Sequence, residues 1–258
     1  MNTSIPKFKD SPYQKIPKEL LDAYTMNGKV KLFSMYYDER EALHKKEWNQ
    51  EYINSFLSKY SIKNIISGNE GTSPYGHKVC INLLTAFIEY NIQNKKIAVV
   101  GSTSPWIEAI LINLNNNVTT IEYNVPESKY DNLHCKDYFN YFKNNNETYD
   151  AIVTFSSIEH SGLGRYGDPL DPNGDIDTMN TIHNNLVKDG LLIWGAPVGK
   201  DALSWNAHRV YGKYRLPILF NNFEELKWYG YSKAALFEQP VKNNGHQPVV
   251  VLKKKIIT

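Results

Sequence analysis

The chain has 258 residues, 41% hydrophobic and 13% aromatic, enough for one large α/β domain or for a domain with an appendage. A formal net charge of +2 gives no basic footprint of the kind nucleic acids require. Two cysteines without metal-type spacing, Cys80 and Cys135, are expected as free thiols of a reducing compartment. The first ten residues have no apolar leader pattern, and no apolar run reaches about 18 residues, so a cytoplasmic protein without membrane insertion is expected.

Residues 1–30 carry Pro6, Pro12 and Pro17 before a short apolar run at Leu20 and Leu21, which reads as an extended arm and a short helix. Residues 39–60 place Leu43, Trp48, Tyr52, Phe56 and Leu57 near helical intervals. They read as one amphipathic helix packed over the main domain, with His44 on its solvated side. Residues 67–77 form a glycine-containing loop with Tyr75 and His77, ahead of an apolar helix at 79–90. Such a loop can cover a ligand, although a plain surface connection is the simpler reading. A boundary near 93–96 separates an N-terminal arm and helical cap, 1–93, from the main domain, 94–258.

The most informative local pattern spans 97–124, IAVVGSTSPWIEAILINLNNNVTTIEYN. The apolar run at 97–100 suits a buried strand and is too short for a helix. After Gly101, Ser102, Thr103 or Ser104 can cap a helix whose first turn takes Pro105. Ile107, Ile110, Leu111 and Leu114 then recur at helical spacing before an asparagine run, and residues 118–121 read as a second strand ending at Glu122. Gly101 lets a ligand approach the backbone, and an acid at the tip of the next parallel strand can accept bonds from two ribose hydroxyls. Further glycines of a dinucleotide fingerprint are missing, which favours a nucleoside without phosphates, S-adenosylmethionine (SAM) being the obvious candidate. Cofactor contacts are therefore expected at Gly101, Ser102, Thr103, Trp106, Glu122 and Tyr123, with Ser156 and Ser157 at a later strand end. A third strand ends near Asp137, placed to accept the adenine amino group unless it caps the aromatic turn that follows. Residues 144–146 are an asparagine loop, and residues 149–155 a fourth strand.

Two long polar insertions follow. Residues 156–175, SSIEHSGLGRYGDPLDPNGD, begin where a strand ends, the place where open α/β sheets bind ligands. Asp171 and Asp175 sit in turn-forming contexts and are expected to be structural. After a helix at 176–187 with an exposed His183, a turn at 188–190 and a strand at 191–194, residues 195–217 form the second insertion, GAPVGKDALSWNAHRVYGKYRLP. The two are expected to face each other across one cleft. Residues 225–232 and 248–253 read as a closing strand pair, and 253–255 as a short basic tail.

The segments GSTSPWIEA, TTIEYN and the two insertions together resemble, over residues 60–232, a bacterial and nematode family catalogued as a domain of unknown function and grouped with class I SAM-dependent methyltransferases. The resemblance implies a Rossmann-like, mostly parallel seven-stranded sheet flanked by helices, with SAM as methyl donor and S-adenosylhomocysteine (SAH) as product. The chain is also similar in style to methyltransferases of bacterial capsule clusters, including those of O-methyl phosphoramidate synthesis. The expected acceptor is a small phosphorylated or sugar-phosphate molecule. His160 or His208 would serve as general base for a hydroxyl, with Glu159 beside them, and Arg165, Arg209 and Arg215 would clamp an anion. Tyr75, Tyr166, Asp168 and Asn206 complete the expected acceptor contacts, and the protein is expected as a possible homodimer. Rival readings are a nicotinamide- or nucleotide-sugar-dependent enzyme, a non-catalytic nucleoside-binding protein, and a variant in which Glu159, His160 and Asp168 hold Mg²⁺.

Overall fold

The computed structural model describes residues 13–40, 47–68, 70–144 and 147–256. Its centre is a seven-stranded sheet built from β2 (Lys96–Val100), β3 (Asn117–Glu122), β4 (Leu133–Asp137), β5 (Tyr149–Phe155), β6 (Leu186–Gly195), β9 (Phe223–Tyr229) and β10 (Val249–Lys254). The spatial order is β9-β10-β6-β5-β2-β3-β4. All neighbours from β6 to β4 pair in parallel, while β10 runs antiparallel to both β6 and β9. Six strands therefore share one direction, as expected for a Rossmann-like sheet closed by an antiparallel pair.

Strand identity follows from burial on both faces. Ile97–Val100 and Val249–Leu252 are continuous apolar runs with every residue buried, the pattern of central strands covered by helices on each side. One hydrophobic cluster joins Trp48, Ile53 and Phe87 to Ile97, Ile110 and Val251, and so runs from the N-terminal helices through one face of the sheet. The opposite face packs Ile152, Met179, Ile182, Leu192, Trp194 and Phe220. Helices α1 (Gln50–Lys59), α2 (His77–Glu89) and α3 (Trp106–Ile112) belong to the first layer, and α4 (Gly174–Asn184) to the second.

A smaller sheet sits beside the carboxyl ends of the strands. There β1 (Lys31–Ser34) pairs in parallel with β7 (Ala202–Trp205), which turns back into β8 (His208–Val210). The N-terminal segment is thereby fastened to the insertion after β6. Asn206 accepts from the Tyr37 N–H at 2.8 Å and donates to its carbonyl at 2.9 Å, and the Trp205 indole donates to the Tyr13 carbonyl at 2.9 Å.

Several expectations change. The helix expected over 39–60 begins only at Gln50, where Asn49 caps it by accepting the Tyr52 N–H at 2.9 Å. Glu47–Trp48 before it is a short strand paired with Glu127–Ser128, and Leu43 and His44 lie outside the described residues. The cap of α3 is Pro105 itself, with no side-chain bond from the serines or Thr103. His183 is buried instead of exposed, because its Nε2 meets the Lys255 carbonyl at 3.0 Å and its ring packs on Phe223. Residues 188–190 are part of β6, where Asp189 takes a left-handed φ of 60° and the pairing with β5 shifts register. Lys253 and Lys254 are strand residues, not a tail, and Lys253 pairs with Asp189 at 2.8 Å.

Candidate functional site

The tips of β2, β3 and β5 open into one cavity of about 420 Å³, within the size range of small-molecule sites. Gly101, at the end of β2, has φ +81°, a region that side chains disfavour. A Cβ there would also overlap the Ser157 side chain that crosses from the end of β5. Glycine is thus required twice, by conformation and by space. From the next strand Glu122 reaches back over the turn: Oε1 accepts the Ser102 N–H at 2.6 Å and Oε2 the N–H of Tyr123 at 2.9 Å. A carboxylate offers about four acceptor positions, so two remain for a ligand. Burial pushes its pKa up to about 7, against the pull of those two N–H bonds.

Gly101, Ser102, Thr103, Trp106, Glu122, Tyr123, Ser156 and Ser157, the residues expected around the cofactor, all line the cavity. So do Tyr75, His160, Arg165 and Tyr166. The Tyr75 ring packs on Trp106 and Phe155, at centroid distances of 6.2 and 5.2 Å, and so ties the loop before α2 to the cavity wall.

At the β5 end the chain takes an unusual path. Ser156 has φ +51°, rare for a residue with a side chain and frequent where a site imposes its geometry. Its hydroxyl donates to Glu159 Oε1 at 2.9 Å and accepts from the Gln247 amide at 3.2 Å. Glu159 is 1% exposed. Burial lifts its carboxyl to about 7, although the Ser156 hydroxyl and nearby backbone N–H groups oppose the shift. The neighbouring His160 holds Nδ1 2.5 Å from the Ala207 carbonyl, which fixes the proton on Nδ1 and leaves Nε2 as the acceptor. Burial first, then the Arg165 charge, push this imidazole down to about 3. It is a neutral hydrogen-bonding group at physiological pH and a weak base. Arg165 donates through Nε and Nη2 to the two oxygens of Glu39, both at 3.0 Å, and stacks against Tyr37 and Tyr166.

The second insertion does not face the cleft, and no residue of 195–217 lines it. It lies against the first insertion and props it from outside. Arg209, 3% exposed, donates to the carbonyls of Glu159, Ser161, Asp171 and Pro172 and lies 3.6 Å from Asp175. Arg215 makes a two-point pair with Asp175, through Nε at 2.8 Å and Nη2 at 2.5 Å, and Tyr211 donates to the same carboxylate at 3.0 Å. The expected three-arginine clamp is therefore not assembled, because two of its members neutralise a buried aspartate. His208 turns to the Asn243 carbonyl at 2.8 Å, and Asn206 holds Tyr37. Asp168 accepts backbone N–H groups of its own loop, from Gly162 at 2.7 Å and Gly164 and Tyr166 at 3.3 Å, which places it with neither an acceptor nor a Mg²⁺ ligand set. Among the described residues no group of three potential His, Cys, Asp or Glu ligands converges on a metal position. Asp137 caps the turn Tyr138–Phe142 by accepting the Asn140 N–H at 2.6 Å and is absent from the cavity wall. The wall beside it comes from Tyr138 and Thr178.

Glu39 is the contributor that sequence reasoning misses. No local motif marks it. Its place is set by the β1–β7 pairing and by its own N–H, which donates to the Arg165 carbonyl at 2.9 Å.

A Rossmann-like α/β protein with a small-molecule cleft at the carboxyl ends of its strands is what this fold and site define. The chain belongs to the family described as "Caenorhabditis protein of unknown function, DUF268", whose profile matches residues 94–255, in line with the resemblance carried by the motifs. No curated protein matches the sequence. Among solved structures, the chain is similar to the 1,6-didemethyltoxoflavin N1-methyltransferase of Burkholderia thailandensis with bound SAH, at 11% identity and a TM-score of 0.49, over 80% of this chain and 90% of that one. It is likewise similar to the N-methyltransferase NodS of Bradyrhizobium japonicum in complex with SAH, at 11% identity and TM-score 0.48, over 79% and 98%. A SAM-dependent methyltransferase of Clostridium acetobutylicum gives 12% identity and TM-score 0.45, over 78% and 98%.

Proposed function

We propose that the protein is a SAM-dependent methyltransferase. The observation that carries this reading is Glu122, held at the tip of β3 across the Gly101 turn with two acceptor positions to spare. That arrangement suits a ribose diol. The turn GSTSP supplies no glycine-rich cradle for a pyrophosphate, which disfavours a nicotinamide or nucleotide-sugar cofactor. A purely structural role leaves the strained Ser156 and the buried Glu159 without a purpose.

The residues present fit the donor. Glu122 would hold its ribose, Gly101 and the Ser157 side chain packed on it would form the wall it lies against, Trp106 and Tyr123 would flank it, and Ser156 would meet its reactive end. SAM, when bound, supplies a methyl group on an electrophilic sulfonium. The chain's own contribution is positioning, since in-line transfer depends on the alignment of the acceptor atom. His160 offers a neutral Nε2 at the acceptor end, and Arg165 offers a cation.

The finer reading is O-methylation of a small anionic acceptor, phosphorylated or a sugar phosphate, as in capsule modification. It draws support from Arg165 alone, which lines the cleft although it is paired with Glu39, because Arg209 and Arg215 lie outside the cleft and are committed to Asp175. We further read residues 1–93 as an arm and helical cap over the 94–258 domain, its Glu39 and Tyr75 completing the cleft. Titration calorimetry with SAM, SAH, NAD and UDP-glucose tests the donor: binding of the two adenosyl-sulfur compounds supports methyl transfer, and binding of NAD or UDP-glucose alone refutes it. Transfer of labelled methyl to hydroxyl and phosphorylated acceptors then tests the acceptor.

A further inference from the structure

Behind the cleft wall at Ser156 lies the buried carboxyl group of Glu159, with no counter-ion paired to it alone. Glu159 spends Oε1 on the Ser156 hydroxyl, 2.9 Å away, and its buried Oε2 has no hydrogen-bond partner. The charged and titratable groups around it are all committed elsewhere. His160 Nε2 is 3.6 Å from Oε1, but the ring is neutral with its proton turned to the Ala207 carbonyl. The Arg165 charge favours the Glu159 carboxylate, but its guanidinium makes its two-point pair with Glu39. Arg209 touches only the Glu159 backbone carbonyl, at 3.3 Å, and its charge is answered by Asp175. Tyr75, Tyr166 and Tyr211 face the carboxyl as neutral phenols, each raised by burial. An ionised carboxylate in such surroundings is costly, so the group keeps its proton unless a cation arrives.

Ser156 is the link to the cleft. It lines the cavity, and its left-handed backbone turns the hydroxyl onto Glu159. A methyl donor and its product differ by one methyl group and one positive charge: the donor is a sulfonium, the product a neutral thioether. Shape gives little purchase on that difference, whereas a buried ionisable acid responds to charge directly.

We propose that Glu159 is the residue that distinguishes the sulfonium donor from the thioether product: it releases its proton to solvent when the cation lies against Ser156 and keeps it when the thioether occupies the same place. This role rests on SAM being the donor. Its consequence is proton-linked binding that is specific to the donor. Glu122 also sits near 7 and would touch the ligand's sugar, but the sugar is common to SAM and SAH, so any proton it loses cancels in the comparison.

The test is calorimetric titration of the full chain with SAM and with SAH in MES and in Bis-Tris, both of which buffer near pH 6 and whose ionisation heats differ. Measurements at pH 5.5–6.5 keep the α-amino groups of both ligands protonated, on the order of a unit or more below where they titrate. SAM is expected to release about one proton more than SAH, and the ratio of SAM to SAH affinity to climb up to about tenfold per pH unit below 7 before levelling off. In Glu159→Gln the excess proton disappears and the ratio becomes flat with pH. Equal proton release for the two ligands in the unaltered protein, or an excess that survives in Glu159→Gln, overturns the proposal. If that variant does not fold, the pH profile of the affinity ratio in the unaltered protein decides, and a flat profile overturns it. Absence of binding by both ligands instead removes SAM as the donor, a result separable from either of these.

Discussion

The backbone N–H of Ser102 donates to Glu122 Oε1 at 2.6 Å, so the turn after β2 is pinned by the tip of β3. One carboxylate thus shapes the site and stands ready to bind in it. Glu122→Gln keeps the volume, but its amide can accept only one of the two backbone N–H groups, and it loses the charge-assisted bonds to a diol. SAH affinity, read by calorimetry, is expected to fall about 10–100-fold, the equivalent of roughly 1.5–3 kcal/mol. A Gln variant that binds SAH as tightly as the parent would separate Glu122 from the ligand.

Gly101 provides a second handle on the same turn. Its φ of +81° and its closeness to Ser157 make alanine unfavourable for two independent reasons. Gly101→Ala is expected to lower stability in chemical denaturation and to abolish SAH binding. Adding Ser157→Gly relieves the overlap but leaves the strained φ, so the double variant should recover part of the stability and not all of it.

Asp175 tests the claim that the arginines are structural. It is fully buried between Arg209 and Arg215, and although burial opposes its ionisation, the two cations hold its carboxyl below the usual range. Asp175→Asn leaves both cations under-neutralised and is expected to cost about 3–5 kcal/mol in urea unfolding. The pH sign follows from the lowered pKa. The stabilisation is present above the unfolded carboxyl's range and is lost as pH falls through the lower folded value.

Glu108 gives the opposite sign. This buried acid on α3 accepts the Thr120 hydroxyl at 2.8 Å through Oε1, has no partner at Oε2, and is pushed by burial up to about 7. Its neutral form is the one the fold favours, so its contribution is full below the ordinary glutamate range and is lost as pH rises through 7. Glu108→Gln is expected to match the parent near pH 4. Above about pH 9 it should exceed the parent by roughly 3 kcal/mol, at about 1.4 kcal/mol for each pH unit that separates the folded from the ordinary glutamate value. Thermal melts across that range check it; parallel curves would show that Glu108 does not titrate with folding.

The anionic-acceptor reading meets its test at Glu39 and Arg165. Their pair is partly exposed, so Glu39→Gln should change stability by less than about 1 kcal/mol. Freed of its partner, Arg165 should bind inorganic phosphate more tightly, by up to about tenfold, and Arg165→Met should remove that gain. Phosphate binding indifferent to both substitutions would argue for an uncharged acceptor.

Local sequence dictates the sheet and half of the site. Apolar runs and turn residues define β2, β3 and β5, and parallel strands joined by helices place Gly101, Glu122 and Ser156 at one end of the sheet, because crossover connections allow little else. The later insertion is legible as polar but not as to purpose. Whether an arginine in it meets a ligand or a buried aspartate depends on how loops forty positions apart pack, as Arg215 and Asp175 do. Glu39 is invisible for the same reason, since only the pairing of β1 with β7 carries it to Arg165. Period and propensity act over a few residues, and they fix where strands end. The partner of a long charged side chain is chosen by desolvation and Coulomb energy across the assembled fold, which no local pattern records.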